Sequence, residues 1–186
     1  MKILVVGFAF VLSLVAQIWV AEDPVIHVLV QFPLLVFVGY CLASGMRIQQ
    51  IFMGPLLVLA VAAILFWMLP RTLDAILTEW GMFIAKFVLL PLTVGVPLAL
   101  CWRHLNPVVR GFVKAQAISM LGILGFLYTH APVRICNSYL LDDQVRLGYG
   151  FFLVVVGLSI VWTIPVFIGD RHEMEKNTPS RSVEIS

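Results

Sequence analysis

Charge is scarce in this chain. Only 12% of its 186 residues are Asp, Glu, Lys or Arg and 61% are hydrophobic, against about 25% charged and 45–50% apolar in a typical soluble domain. An ordinary soluble globule of this length has too little interior to hide so much apolar surface, and a disordered chain carries far more charge. Cysteine is scarce too: three residues, an odd number that cannot all pair internally, which excludes a disulfide scaffold. The twelve Lys and Arg form no basic run with interleaved aromatics, so nucleic-acid binding has no support. There is no phosphate-binding loop, serine-triad motif or His-Glu-x-x-His pair, and no convergent acid, base and nucleophile; an enzyme is not expected.

What is present is long apolar runs, with a mean hydropathy of +1.03. A bilayer core about 30 Å thick needs roughly 20 apolar helical residues. Six runs meet this: 3–20, 25–45, 51–69, 80–102, 111–128 and 147–169. The expected fold class is therefore all-α, a polytopic transmembrane bundle of one domain over 1–169, followed by a polar, flexible cytoplasmic tail over 170–186. An opening apolar run after Met1-Lys2 is also the pattern of a signal peptide. Its cleavage options, Leu14-Val15-Ala16 and Trp19-Val20-Ala21, put a bulky residue where a small one is needed, so a retained helix is expected.

Basic residues orient the bundle. With the N-terminus in the cytoplasm, Lys2, Arg47, Arg103, Arg110, Lys114, Arg171, Lys176 and Arg181 lie inside, while Arg71, Arg134 and Arg146 lie outside. Eight against three predicts both termini inside. Trp19, Trp67, Trp80, Trp102 and Tyr128 stand at span ends, where interfacial anchors belong. Asp23-Pro24 reads as the cap and first residue of span two, and Asp142 and Asp143 suit the positive end of span six. Pro33, Pro55, Pro91, Pro97 and Pro165 predict kinks; Ser119, Gly122 and Gly125 predict a close approach of another helix to span five.

This map gathers the polar residues at the outer end. His27 opens span two, and Gln31 follows one turn deeper. Lys86 lies about 9 Å down span four. It either snorkels outward beside Glu79 or the Asp142/Asp143 pair, or supplies a fixed charge or proton-accepting group inside an outward cavity. His130 falls just past span five, and the following loop carries Cys136, Asp142, Asp143 and Gln144. His27, His130 and Cys136 are candidate metal ligands, since imidazole and thiolate suit copper or zinc; each is equally a packed or hydrogen-bonded residue with no ligand. Cys41 lies about 24 Å from the outer end of span two and Cys101 near the inner end of span four, so Cys136 is expected as a free outer thiol. Without a Cys-x-x-Cys-His motif covalent haem is excluded, and His130 beyond its helix argues against a second axial ligand for bound haem. An outer polar site joining His27, Gln31 and the Asp142-Asp143-Gln144 turn is expected.

Two stretches carry a family resemblance. Ile26-His27-Val28-Leu29-Val30-Gln31-Phe32-Pro33-Leu34-Leu35, with Gly39 beyond, resembles a helix of the CtaG family of cytochrome c oxidase assembly proteins. There a His opens a helix, a second His follows one turn later, and a Pro-Leu-Leu stretch comes next. Leu127-Tyr128 and Leu140-Leu141-Asp142-Asp143-Gln144-Val145-Arg146-Leu147-Gly148 resemble the family's closing pattern, an Asp-Gln pair and a Gly before the last helix. Gln31 stands at the family's second His. The resemblance implies a bacterial inner-membrane protein that assists terminal-oxidase maturation, by passing copper or holding an assembly intermediate, with oxidase subunits as partners. It carries over His27, Asp143 and Gln144. The residues alone also leave open a small-solute or ion transporter and a non-catalytic subunit of a membrane complex.

Overall fold

The protein is described by a computed structural model covering residues 2–20, 23–46, 48–131 and 140–176, with side chains described for all of these except 2–4, 18–20 and 166–176. Among the described residues there is no strand. The helices are α1 (Lys2–Val20), α2 (Phe32–Ala43), α3 (Met53–Trp67), α4 (Pro70–Thr78), α5 (Trp80–Leu90), α6 (Val96–Trp102), α7 (Pro107–His130) and α8 (Leu141–Lys176). A π-helical segment, Ile26–Gln31, leads into α2, and another, Pro91–Gly95, joins α5 to α6. The rods Ile26–Ala43, Gln50–Trp67, Trp80–Trp102, Pro107–His130 and Leu141–Pro165 are each long and apolar enough to cross a membrane. The remaining expected span is α1, whose 19 residues cover about 28 Å; its described apolar stretch, Val5–Gln17, is shorter than those five.

The two π segments have a common cause in the sequence. Each ends two residues before a proline, Gln31 before Pro33 and Gly95 before Pro97. Proline lacks the N–H that an α-helix needs, and its ring crowds the carbonyl four residues back. A wider turn upstream relieves that crowding without ending the helix. Pro55 needs no such device, because it lies in the first turn of α3, where no intrahelical partner is required of it.

Contacts fix the relative directions of the rods. Gln31 meets Lys86, Gly39 abuts Pro91, and Ala43 packs with Ala99 and Leu100, so α2 runs parallel to α5–α6. Gln17 meets Lys86 while Val6, Gly7 and Phe10 line one groove with Val88, Pro91 and Leu92, so α1 runs against them. Cys101 touches Met53 at one end of α3 and Phe32 meets Trp67 at the other, which makes α3 antiparallel as well. Lys114 under Trp162 and Gly125 against Gly148 make α7–α8 an antiparallel hairpin. Arg146 reaches Asp23 and Gly150 faces Leu29, aligning α8 with α2. The six rods thus alternate in direction, as sequential membrane crossings require.

The closest crossing lies between α2 and the π segment after α5. A Cβ on Gly39 would collide with the Pro91 backbone, and one on Gly95 with the carbonyl of Val36. Small residues let two backbones touch where lipid supplies no hydrophobic drive between helices. On span five the close approach is at Gly125, where an added Cβ would lie 3.2 Å from the Gly148 carbonyl, whereas Gly122 faces open space.

Two expectations are corrected, and one element is new. Residues 70–78, between two expected spans, form a helix, and Thr72, Leu73 and Ile76 of α4 turn inward and roof the core. Trp67 and Tyr128 belong to that same core, each 2% exposed, so they are not interfacial anchors; Trp80 is exposed and Trp102 half-buried. Finally, α8 begins at Leu141 and continues to Lys176, so the polar residues 170–176 prolong the last rod. Residues 177–186 lie outside the described part.

Candidate functional site

Lys86 is fully buried on α5, and it does not snorkel. Its Nζ donates to Oε1 of Gln31 at 2.8 Å and to Oε1 of Gln17 at 3.2 Å. The rings of Phe83 and Phe87 lie 5.6 and 5.1 Å from the ammonium, within cation–π range. Among the described residues no carboxylate pairs with it; neither Glu79 nor the Asp142/Asp143 pair is its partner. Gln31, also fully buried, uses its amide nitrogen on the Ser13 carbonyl at 3.0 Å and on Gln17 Oε1 at 2.9 Å. Three helices therefore meet through one polar knot in an otherwise apolar slab.

Magnitudes show why this knot persists. An intramembrane lysine costs about 2.5–3.5 kcal/mol on insertion scales. Hydrogen bonds to a charged group return about 1.5–3 kcal/mol each, and a desolvated cation–π contact adds about 2 kcal/mol. The neutral partners thus offset the penalty without neutralising the charge.

Gln17 joins the knot to the surface. It lines a cleft of about 220 Å³ with Ile76, Leu77, Thr78, Glu79, Trp80 and Phe83. The end of α4 forms one wall of that cleft. Gln17 and Ser13 were not singled out from the sequence. The available signal was their spacing: two polar residues one turn apart inside the first apolar run.

The other expected residues fall as follows. His27 is fully buried one turn before Gln31, edge-on to Phe32 at 5.3 Å. Asp23 caps its helix, its Oδ1 accepting the Val25 N–H at 2.9 Å. Arg146 joins Asp23 Oδ2 at 3.2 Å and Asp143 Oδ1 at 3.8 Å, so the start of α8 is tied to the start of α2. Asp142 lies in the first turn of α8, and Gln144 is 2% exposed at the same end. His27 and His130 have opposite environments. His130, the last residue of α7, is exposed and stacked on Phe126, with Nδ1 2.8 Å from the Thr129 hydroxyl. Cys136 lies outside the described residues. Cys41 and Cys101 are both free thiols.

Among the described residues no group of three or more His, Cys, Asp or Glu converges on a point. Gln31 is committed through its Oε1 to Lys86. No family model, curated protein or solved structure matches the chain.

Proposed function

We propose that this chain is an accessory protein of the bacterial inner membrane that serves terminal-oxidase maturation by holding an assembly intermediate at the outer end of its bundle. One observation supports this reading beyond the sequence resemblance to the CtaG family. The two stretches that carry the resemblance lie far apart in the chain, yet they meet. Just before the first stretch, Asp23 accepts a bond from Arg146 of the second, across 123 positions. Val28 and Phe32 share a core with Leu147 and Phe151. The donors suit holding better than copper delivery, because Gln31 serves Lys86 and not a metal.

The chemistry expected of such a site is recognition. Lys86 contributes a positive potential behind Gln17, and the cleft above it offers Glu79 and Trp80 at its mouth. A tagged full-length chain should copurify with oxidase subunits, and its loss should lower oxidase activity without lowering transcription of the subunits. The purified protein should hold well under one copper per chain. Stoichiometric copper would return the delivery role; unchanged oxidase activity in the deletion strain would remove the assembly role altogether.

A second reading, a small-solute or ion transporter, is favoured by the uncompensated buried lysine, since intramembrane charges mark solute and proton paths. It predicts a proton or solute flux in reconstituted vesicles that Lys86→Met abolishes. The accessory reading predicts no such flux.

A further inference from the structure

The acidic side chains of the described residues gather at one end of the bundle. Every acidic side chain described, Asp23, Asp74, Glu79, Asp142 and Asp143, lies at the end that holds the starts of α2, α5 and α8. The opposite end carries Arg103, His104 and Arg110 with no described acid beside them. Arg110 donates to the Arg103 carbonyl at 3.1 Å, and its buried Nε has no hydrogen-bond partner. Two guanidinium-bearing residues are thus brought together with nothing of opposite sign from the described chain.

Beside them is a cleft of about 250 Å³ between the ends of α2 and α6. Tyr40, Ser44, Arg103 and His104 supply its polar lining, and Ala99 and Leu100 line its apolar side. The Ser44 hydroxyl donates to the Cys41 carbonyl, and Gly45, at φ 103°, turns the chain away so that the cleft stays open. His104 donates Nδ1–H to the Leu100 carbonyl at 3.2 Å, which fixes its ring at the cleft wall. The volume is just below the ~300 Å³ at which pockets for drug-sized ligands begin. Trp102, half-buried one residue before Arg103, is the residue type that sits at headgroup depth.

We propose that this cleft binds a phosphate-bearing anion, the headgroup phosphate of an anionic phospholipid. The planar fork of Arg103 matches phosphate oxygens in pairs, the Tyr40 hydroxyl at the cleft wall can donate a further bond, and basic pockets between helix ends are where anionic headgroups lodge. This site is separate from the Lys86 knot and independent of the oxidase reading.

The test uses the full chain, delipidated in a neutral detergent, with melting temperature followed against three probes: dihexanoyl phosphatidylglycerol, dihexanoyl phosphatidylcholine and sodium phosphate. A ligand that binds only the folded state raises that temperature. Phosphatidylglycerol should raise it and phosphatidylcholine should not. The double variant Arg103→Gln/His104→Gln should weaken the phosphatidylglycerol response about tenfold, or ~1.4 kcal/mol; Arg71→Gln, exposed at the other end, should leave it unchanged. If the double variant fails to accumulate, Tyr40→Phe replaces it and should weaken the response in the same direction. Equal responses to the two lipids, or an undiminished response in the variants, would overturn the site. A response to sodium phosphate as strong as that to phosphatidylglycerol would overturn the lipid as its source.

Discussion

Lys86 and Gln31 stand 55 positions apart in the chain and 2.8 Å apart in space, on two rods that run parallel. Their contact turns two costly polar groups into one satisfied pair. Lys86→Ala strands the Oε1 of Gln31, an unsatisfied buried group worth about 1–3 kcal/mol, while Gln17 Oε1 keeps the Gln31 amide, and it opens a cavity. The expected loss is about 3 kcal/mol or more of stability. Lys86→Met with Gln31→Leu should lose much less than the two single changes summed, since the pair is removed together. Reversible unfolding in mixed micelles measures both; additive losses would mean that the contact carries no coupling.

The Gly39–Pro91 crossing sets the register of that pair. Gly39→Ala and Gly95→Ala should each cost more than about 2 kcal/mol, because the added carbon meets backbone that cannot swing aside. Gly157→Ala faces open space and should be neutral within about 0.5 kcal/mol. A Gly39→Ala protein as stable as the wild type would show that the crossing is loose.

The tie between α2 and α8 has two parts of unequal weight. Arg146 is 62% exposed in its pair with Asp23, and exposed pairs contribute about 0–1 kcal/mol. Arg146→Gln should therefore change stability by less than about 1 kcal/mol, and less still in high salt. Phe151→Ala removes a core ring and should cost about 3–5 kcal/mol. The reverse order of these two effects would place the energy in the ion pair.

The basic asymmetry of the loops predicts both termini in the cytoplasm. A phosphatase reporter fused after Ser186 should be inactive and a cytoplasmic reporter active. In intact cells an impermeant thiol reagent should label Cys136 and leave Cys101, which is fully buried with its thiol on the Met53 carbonyl. Labelling of Cys101 alone would invert the orientation.

Much of the fold was legible because the bilayer imposes a length and a composition on each rod. The run at 80–102 matches its rod residue for residue. Asp23-Pro24 as a helix start and Asp142 and Asp143 in the first turn of α8 also follow from local chemistry. The roofing helix α4 was not legible as such, since its nine residues are too few and too polar to stand out beside the apolar runs. Trp67 and Tyr128 were misread because a residue at a span end is interfacial only if nothing packs over it, and both belong to the core that Leu73 and Ile76 of α4 and Phe151 of α8 also join.

The polar site divides along the same line. The sequence by itself determined that Lys86, His27 and Gln31 would lie in the upper part of apolar rods, because rise per residue converts position into depth. It also determined that charge would be sorted between the ends. Rotation about each rod, and the pairing between rods, were decided only by the tertiary structure. Two prolines widen turns in two helices, two glycines let those helices touch, and the resulting register sets Gln31 against Lys86 with Gln17 closing the third side. Depth is a one-dimensional property that a chain encodes locally. Which side chains face each other depends on the packing of all the rods at once.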